Sequence, residues 1–155
     1  MNYNIKKMES DSMLDRVKEI LMDNSLCVLC TVSGNLPHCS LMTYVLSDDS
    51  KIMYMVTVRE SRKYRNLLEN STVSLLVDNR QQLTLPSNEN VFSITFEGFL
   101  KHLSPLEIEN VRIQLADSHG ELKEILKNPD SIIFGIELKT FLLLNGPLDS
   151  VQGKF

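Results

Sequence analysis

Seven consecutive residues, Thr57-Val58-Arg59-Glu60-Ser61-Arg62-Lys63, combine the side chains that hold a phosphate. They follow an apolar run, Ile52-Met53-Tyr54-Met55-Val56, and precede a helical pattern over 61–69. Ser61 has the type and position of an N-cap, which puts Arg62 and Lys63 in the first helical turn with Arg65 just behind. A helix start carries partial positive charge, so each cation there is unfavourable by roughly 0.3–1 kcal/mol. Three cations at this helix start, with Arg59 just upstream, are locally frustrated unless an anion joins them. Phosphate answers best, because free N–H groups and the helix dipole already favour it. The competing reading is a solvated basic helix end.

Other chemistry-bearing residues are weaker candidates. Cys27, Cys30 and Cys39 are odd in number and suggest no disulfide framework. Cys27 and Cys30 have the spacing of a redox or zinc pair, but they lie in Leu26-Cys27-Val28-Leu29-Cys30-Thr31-Val32, which reads as a buried strand. Residues three apart on a strand face opposite sides, so these thiols are expected to pack apolarly rather than converge on one atom. His38, His102 and His119 have no paired ligand spacing, and no metal is implied. No nucleophile, acid–base pair or carboxylate dyad stands out, and no catalytic residue is assigned.

Composition bounds the class. A chain of 155 residues with ordinary apolar and charged fractions is expected to form a single domain with a real core. The net charge of −4 argues against general nucleic-acid binding and leaves 59–65 as the one convincing basic cluster. No apolar stretch is long enough to span a bilayer, and residues 1–8 lack the apolar centre of a secretory signal. A cytoplasmic location is expected, with no membrane partner.

The elements that must position the basic block follow from periodicity. Residues 12–23 form an apolar helical stripe with Ser12 as cap and Asp15 three residues on. Strands are expected over 26–32, 37–46 and 51–57, joined by turns at Ser33-Gly34-Asn35 and Ser47-Asp48-Asp49-Ser50. After the 61–69 helix come a strand over 73–78, a polar loop over 79–90, and a long strand over 91–103 with Gly98 at a bend. The loop is long enough to be a lid, a partner contact or a solvated insertion. Ser104-Pro105-Leu106-Glu107 is a capping box that starts a helix, and a short helix over 121–127 stops before Pro129. A final strand spans 132–144, and 146–155 reads as an extended or poorly ordered tail. Six strands in meander order with peripheral helices imply a mainly β chain built as a closed or split antiparallel barrel.

The pattern Thr57-x-x-x-Ser61-Arg62-Lys63, after a strand and before a helix, resembles the flavin-phosphate segment of the pyridoxamine 5′-phosphate oxidase-like proteins. The likeness continues through Asn66-Leu67-Leu68-Glu69-Asn70-Ser71-Thr72-Val73-Ser74-Leu75-Leu76, like that family's helix, turn and next strand. Phe96-Glu97-Gly98-Phe99-Leu100-Lys101-His102-Leu103-Ser104 resembles its long strand leading into a capped helix. In all it covers roughly residues 12–144, in order.

The resemblance implies a six-stranded antiparallel split barrel that forms a homodimer and binds FMN at the dimer interface. It implies that Arg62 and Lys63 contact the flavin phosphate, within the segment that also carries Arg59 and Ser61. Val56 and Thr57 would approach the flavin through backbone and hydroxyl. His38, Cys39, Ser40 and Leu41 would add a second edge contact, where the oxidases carry an arginine and a lysine, and Ser93 stands near an oxidase glutamine. The vitamin B6 oxidases end in a segment rich in tryptophan and arginine; this chain has no tryptophan and ends otherwise, so that activity is not expected. The implied function is a small FMN-dependent oxidoreductase acting on a small molecule. The alternatives are a non-catalytic FMN-binding or electron-transfer module, or a barrel using deazaflavin or haem, with His38 or His102 as axial ligand in the haem case.

Overall fold

Alternation along the strands decides which side of the sheet becomes core. In β1 (Leu26–Ser33), Cys27, Leu29 and Thr31 are buried while Val28 and Cys30 between them are only half-buried. The same period runs through β5 (Thr72–Asp78), where Val73, Leu75 and Val77 face inward. The computed structural model describes residues 10–83 and 91–155. Of the 79–90 loop, residues 84–90 lie outside the described residues.

The described strands form one antiparallel sheet in the order β2-β1-β5-β6-β7-β4-β3, with β8 also on β7. The remaining strands are β2 (Leu36–Thr43), β3 (Val45–Leu46), β4 (Ile52–Val58), β6 (Phe92–Lys101), β7 (Ser131–Asn145) and β8 (Asp149–Lys154). β2 and β3 stand at opposite ends of that order, yet only Tyr44 separates them in sequence. The sheet must therefore curl until its ends approach, which makes a split barrel. Tyr44 is the corner: it is buried, its N–H donates to the Ser25 carbonyl (2.9 Å), and its hydroxyl donates to the Leu21 carbonyl (2.8 Å). The strand expected over 37–46 is thus broken there. Its first part pairs with β1 and its last two residues with β4.

Among the described residues the strands number eight rather than six. Besides the break at Tyr44, the tail takes the extended one of its two expected forms and becomes a strand, because β8 pairs with Thr140–Asn145 of β7. Two aromatic contacts hold it: the Phe155 ring meets Phe96 at 5.9 Å and Phe141 at 6.0 Å between centroids. A Cβ at Gly153 would lie 2.3 Å from the Phe141 ring, so glycine there admits the ring rather than marking a loop.

Among the described residues, four helices cover the barrel: α1 (Ser10–Asp23), α2 (Arg62–Glu69), α3 (Pro105–Ser118) and, after a 3₁₀ turn at Gly120–Leu122, α4 (Lys123–Lys127). Since α1 begins at Ser10, Ser12 sits inside its first turn and is not the cap. The α3 capping box forms as expected, with Glu107 N–H donating to Ser104 Oγ (3.3 Å) and Ser104 N–H to the Glu107 carboxylate (2.8 Å). No described helix is long and apolar enough to cross a membrane.

Two apolar clusters result. The larger, inside the barrel, includes Leu21, Leu29, Met53, Met55, Leu75, Ile94, Phe96 and Ile136. The smaller, under α3 and α4, includes Val45, Tyr54, Val56, Val111, Leu115, Leu126 and Ile133. β4 lies between them and is buried on both faces, which explains its unbroken apolar run. At Gly98 the β6–β7 register shifts, and a Cβ would stand 2.5 Å from the Glu137 carbonyl oxygen. Backbone cannot yield there as a side-chain tip can. Gly98→Ala should therefore lower unfolding free energy by about 1–3 kcal/mol in urea titrations.

Candidate functional site

β4 delivers the basic block to the place where the barrel is split. From Ile52 to Val58 one edge of β4 pairs with β7, whereas β3 covers the other edge only at Met53 and Tyr54. The segment 55–58 therefore ends in an open backbone edge facing the gap towards β2. Val56 turns its side chain into the outer cluster beneath the helices, so only its backbone is available to a ligand. Thr57, also buried, points the other way and donates from Oγ1 to Ser61 Oγ (3.1 Å).

Ser61 is the N-cap of α2 as expected, in extended backbone, with its Oγ accepting from Tyr64 N–H (3.3 Å). The N–H groups of Arg62 and Lys63 have no acceptor within the helix, as geometry requires of a first turn. That turn holds no acidic residue. Arg59, Arg62 and Arg65 are exposed and Lys63 half-exposed, and none of the four enters an ion pair among the described residues. The donors and charge suit an oxyanion, and no carboxylate of the turn competes for them.

A buried polar chain ties α2 to the strand pair. Asn66 Nδ2 donates to Thr31 Oγ1 (3.0 Å), and Thr31 Oγ1 reaches the His38 carbonyl at 3.5 Å. Asn66 and Thr31 are both buried, so the bond between them fixes the helix over β1. Sequence reasoning missed this pair; the signal was one asparagine on the face that also carries buried Leu67. Asn66→Ala leaves the Thr31 hydroxyl short of a buried partner and should cost about 1–3 kcal/mol of stability, measurable by thermal or urea unfolding.

At its C-terminal end, α2 holds the β1–β2 turn. Glu69 accepts from the Ser33 hydroxyl (2.7 Å) and from the Gly34 N–H (3.1 Å), where Gly34 takes φ +56°. The Ser33 hydroxyl, then the Gly34 amide, hold the Glu69 carboxyl below its ordinary value of 4.5. A depressed folded value means the contribution is intact above 4.5 and lost as pH falls through the lowered value. Amide-exchange protection at Gly34 should accordingly persist from neutral pH down to the carboxylate range and vanish only below it.

The four β2 candidates divide between two faces. His38 and Ser40 pair with Thr31 and Leu29 and share their side of the sheet, towards α2 and the core. Cys39 and Leu41 pair with Cys30 and Val28 on the outer side and are exposed. All four side chains therefore cannot surround one ligand. Ser93 is further away. Thr57 pairs with Ile132 and Ser93 with Leu144, twelve residues along β7. At ~3.3 Å per residue this is roughly 40 Å measured along the curved strand, so Ser93 and Thr57 stand towards opposite ends of β7.

Cys27 and Cys30 do face opposite sides, but only Cys27 packs in the core. Cys30 lies against Cys39, its direct cross-strand partner. Its outer side of the sheet carries an apolar stripe through Leu41, Val28, Leu76 and Leu142, with Leu41 70% exposed. A concavity of 470 Å³ lies at the Leu142 end of this stripe, beside Glu97 and Lys154, and one of 420 Å³ lies beside Tyr44 and His119. Neither touches 56–63.

A family model described as pyridoxamine 5′-phosphate oxidase matches residues 13–126. No curated protein matches the chain. Among solved structures, a haem-binding protein from Mycobacterium smegmatis superposes with TM-score 0.74 at 16% identity, over 88% of this chain and 55% of that one. The haem storage protein HutZ from Vibrio cholerae gives 0.64 at 18%, over 89% and 95%. A proposed pyridoxamine 5′-phosphate oxidase from Listeria innocua gives 0.67 at 19%, over 86% and 99%. At these identities the structural likeness speaks to the fold alone.

Proposed function

The chain belongs to the pyridoxamine 5′-phosphate oxidase family, and from that premise we propose that it binds FMN as a homodimer and serves as a small flavin-dependent oxidoreductase. The observation that carries this reading is the unpaired basic start of α2 at the open edge of β4. In it the Arg62 and Lys63 side chains and first-turn N–H groups grip the phosphate, and Arg59 adds long-range attraction. Ser61 keeps the turn in shape through its bonds with Thr57 and Tyr64. The β4 backbone from Val56 meets the flavin edge, and His38 or Ser40 of β2 borders the cleft from the other side.

The placement of Ser93 and Thr57 towards opposite ends of β7 supports two chains per site, in which Ser93 would serve the flavin of a second copy. The apolar outer stripe supports the same arrangement, since burying it against a copy removes exposed leucine from water. FMN, when bound, supplies hydride or electron transfer; the protein supplies position, polarity and exclusion of water. Pyridoxamine-phosphate oxidation is not proposed, because His38, Cys39, Ser40 and Leu41 stand where the oxidases carry an arginine and a lysine.

The test is the visible spectrum of purified protein titrated with FMN, followed by mass analysis of released ligand. Flavin bands with stoichiometric FMN are expected. A colourless protein that refuses FMN ends the reading. The haem-binding and haem-storage names of two matched structures favour one second reading, haem with half-buried His38 as ligand. A Soret band on adding haemin, abolished by His38→Ala, would select it.

A further inference from the structure

Cys30 and Cys39 are directly opposite residues of neighbouring antiparallel strands, and their Sγ atoms stand 3.3 Å apart. Directly opposite positions bring Cα atoms to ~4.5–5.5 Å, inside the ~4.4–6.8 Å that a disulfide spans, so bonding needs no shift of backbone. The pair lies on the outer side of the sheet, on β1 and the edge strand β2, away from buried Cys27. Cys39 is exposed and Cys30 half-buried. The pair stands in the polar row Cys39-Cys30-Ser74-Glu97, beside the apolar stripe rather than in it, so at the rim of the proposed dimer contact one sulfur is open to a reagent from solution and the other waits behind it.

We propose that Cys30 and Cys39 form a redox-modification site, a dithiol that small disulfides of the glutathione class oxidise to an intrachain cross-strand disulfide. The Cys39 thiolate attacks one sulfur of the reagent, breaking its S–S bond, releasing one small thiolate and leaving a mixed disulfide on Cys39. Cys30 then gives its proton to solvent and attacks the Cys39 sulfur, which expels the second small thiolate. Two protein thiols are oxidised by two electrons, and the reagent disulfide is reduced to two thiols. The order of attack follows from exposure. It agrees with Cys30 being pushed up to about 11, first by burial and then by its hydrogen bond with Cys39, so that it enters as the protonated partner. The bond pins the edge strand carrying His38 and Ser40 to β1, and it holds whichever cofactor the barrel takes.

Full-length protein incubated with oxidised glutathione, quenched by alkylation under native conditions and mapped by mass spectrometry, tests this. Wild-type protein should yield a Cys30–Cys39 crosslinked peptide with no lasting glutathione. Cys30→Ser should retain glutathione on Cys39 at a level at least about tenfold above wild type, because nothing resolves the mixed disulfide. Cys39→Ser should gain neither crosslink nor adduct. Free thiols at both positions in treated wild type, a persistent adduct on Cys39, or a Cys39–Cys39 link between chains would each overturn the proposal.

Discussion

At the proposed flavin-phosphate site, replacing Arg62 and Lys63 together by alanine is expected to weaken FMN binding roughly 100-fold or more, because each charged contact to a phosphate contributes about 1.5–3 kcal/mol. The same double variant will be no less stable than the parent, and this second expectation makes the result diagnostic. Neither side chain has an ion-pair partner among the described residues, and both stand in the first turn of α2. Removing two cations from that turn relieves about 0.3–1 kcal/mol of unfavourable interaction each. Calorimetric FMN titration and thermal melts of the same samples therefore move in opposite senses. A fall in both would mean that the residues hold the fold rather than a ligand. Unchanged affinity in the folded variant would remove the phosphate site.

In the proposed FMN-binding homodimer, Leu76→Arg is expected to turn dimer into monomer and weaken FMN binding with it. Leu76 sits near the middle of the outer apolar stripe, between Val28 on β1 and Thr95 on β6. An arginine buried there between two copies lacks a partner and costs several kcal/mol, enough to weaken association roughly 100-fold. The folded monomer should survive, because position 76 points away from the core. Its neighbour is the control: Leu75 is fully buried in the larger cluster, so Leu75→Arg should destroy the fold itself. Sedimentation velocity with FMN titration separates the cases. A Leu76→Arg protein that stays dimeric, or that stays tightly loaded as a monomer, would refute the two-chain site.

Some of this was legible in the chain because it depends on neighbours close in sequence. The Ser61 cap, the Ser104–Glu107 capping box and the Gly34 turn are local geometry, and each forms where its residue types stand. Other features were hidden because they depend on distant partners. Tyr44 breaks a strand that reads as continuous, since the barrel must turn a corner beside Leu21 and Ser25. The tail 146–155 reads as extended or poorly ordered, and it is the pairing with β7 and the packing of Phe155 on Phe96 and Phe141 that select the extended form, as β8 over Asp149–Lys154. Asn66 finds Thr31 from 35 residues away.

The sequence by itself determined the kind of protein: a mainly β chain with a basic, phosphate-suited helix start, because periodicity, caps and charge are properties of adjacent residues. Only the tertiary structure decided which residues share that site. The curl of the sheet puts β4's open edge in the split and separates Ser93 along β7, and strand alternation divides His38 and Ser40 from Cys39 and Leu41. Pairing of β1 with β2 brings Cys30 to Cys39, a meeting that spacing along the chain did not indicate. The physical reason is the same in each case. A strand's register and the face each side chain takes are set by what it pairs with, and those partners lie far away in the sequence.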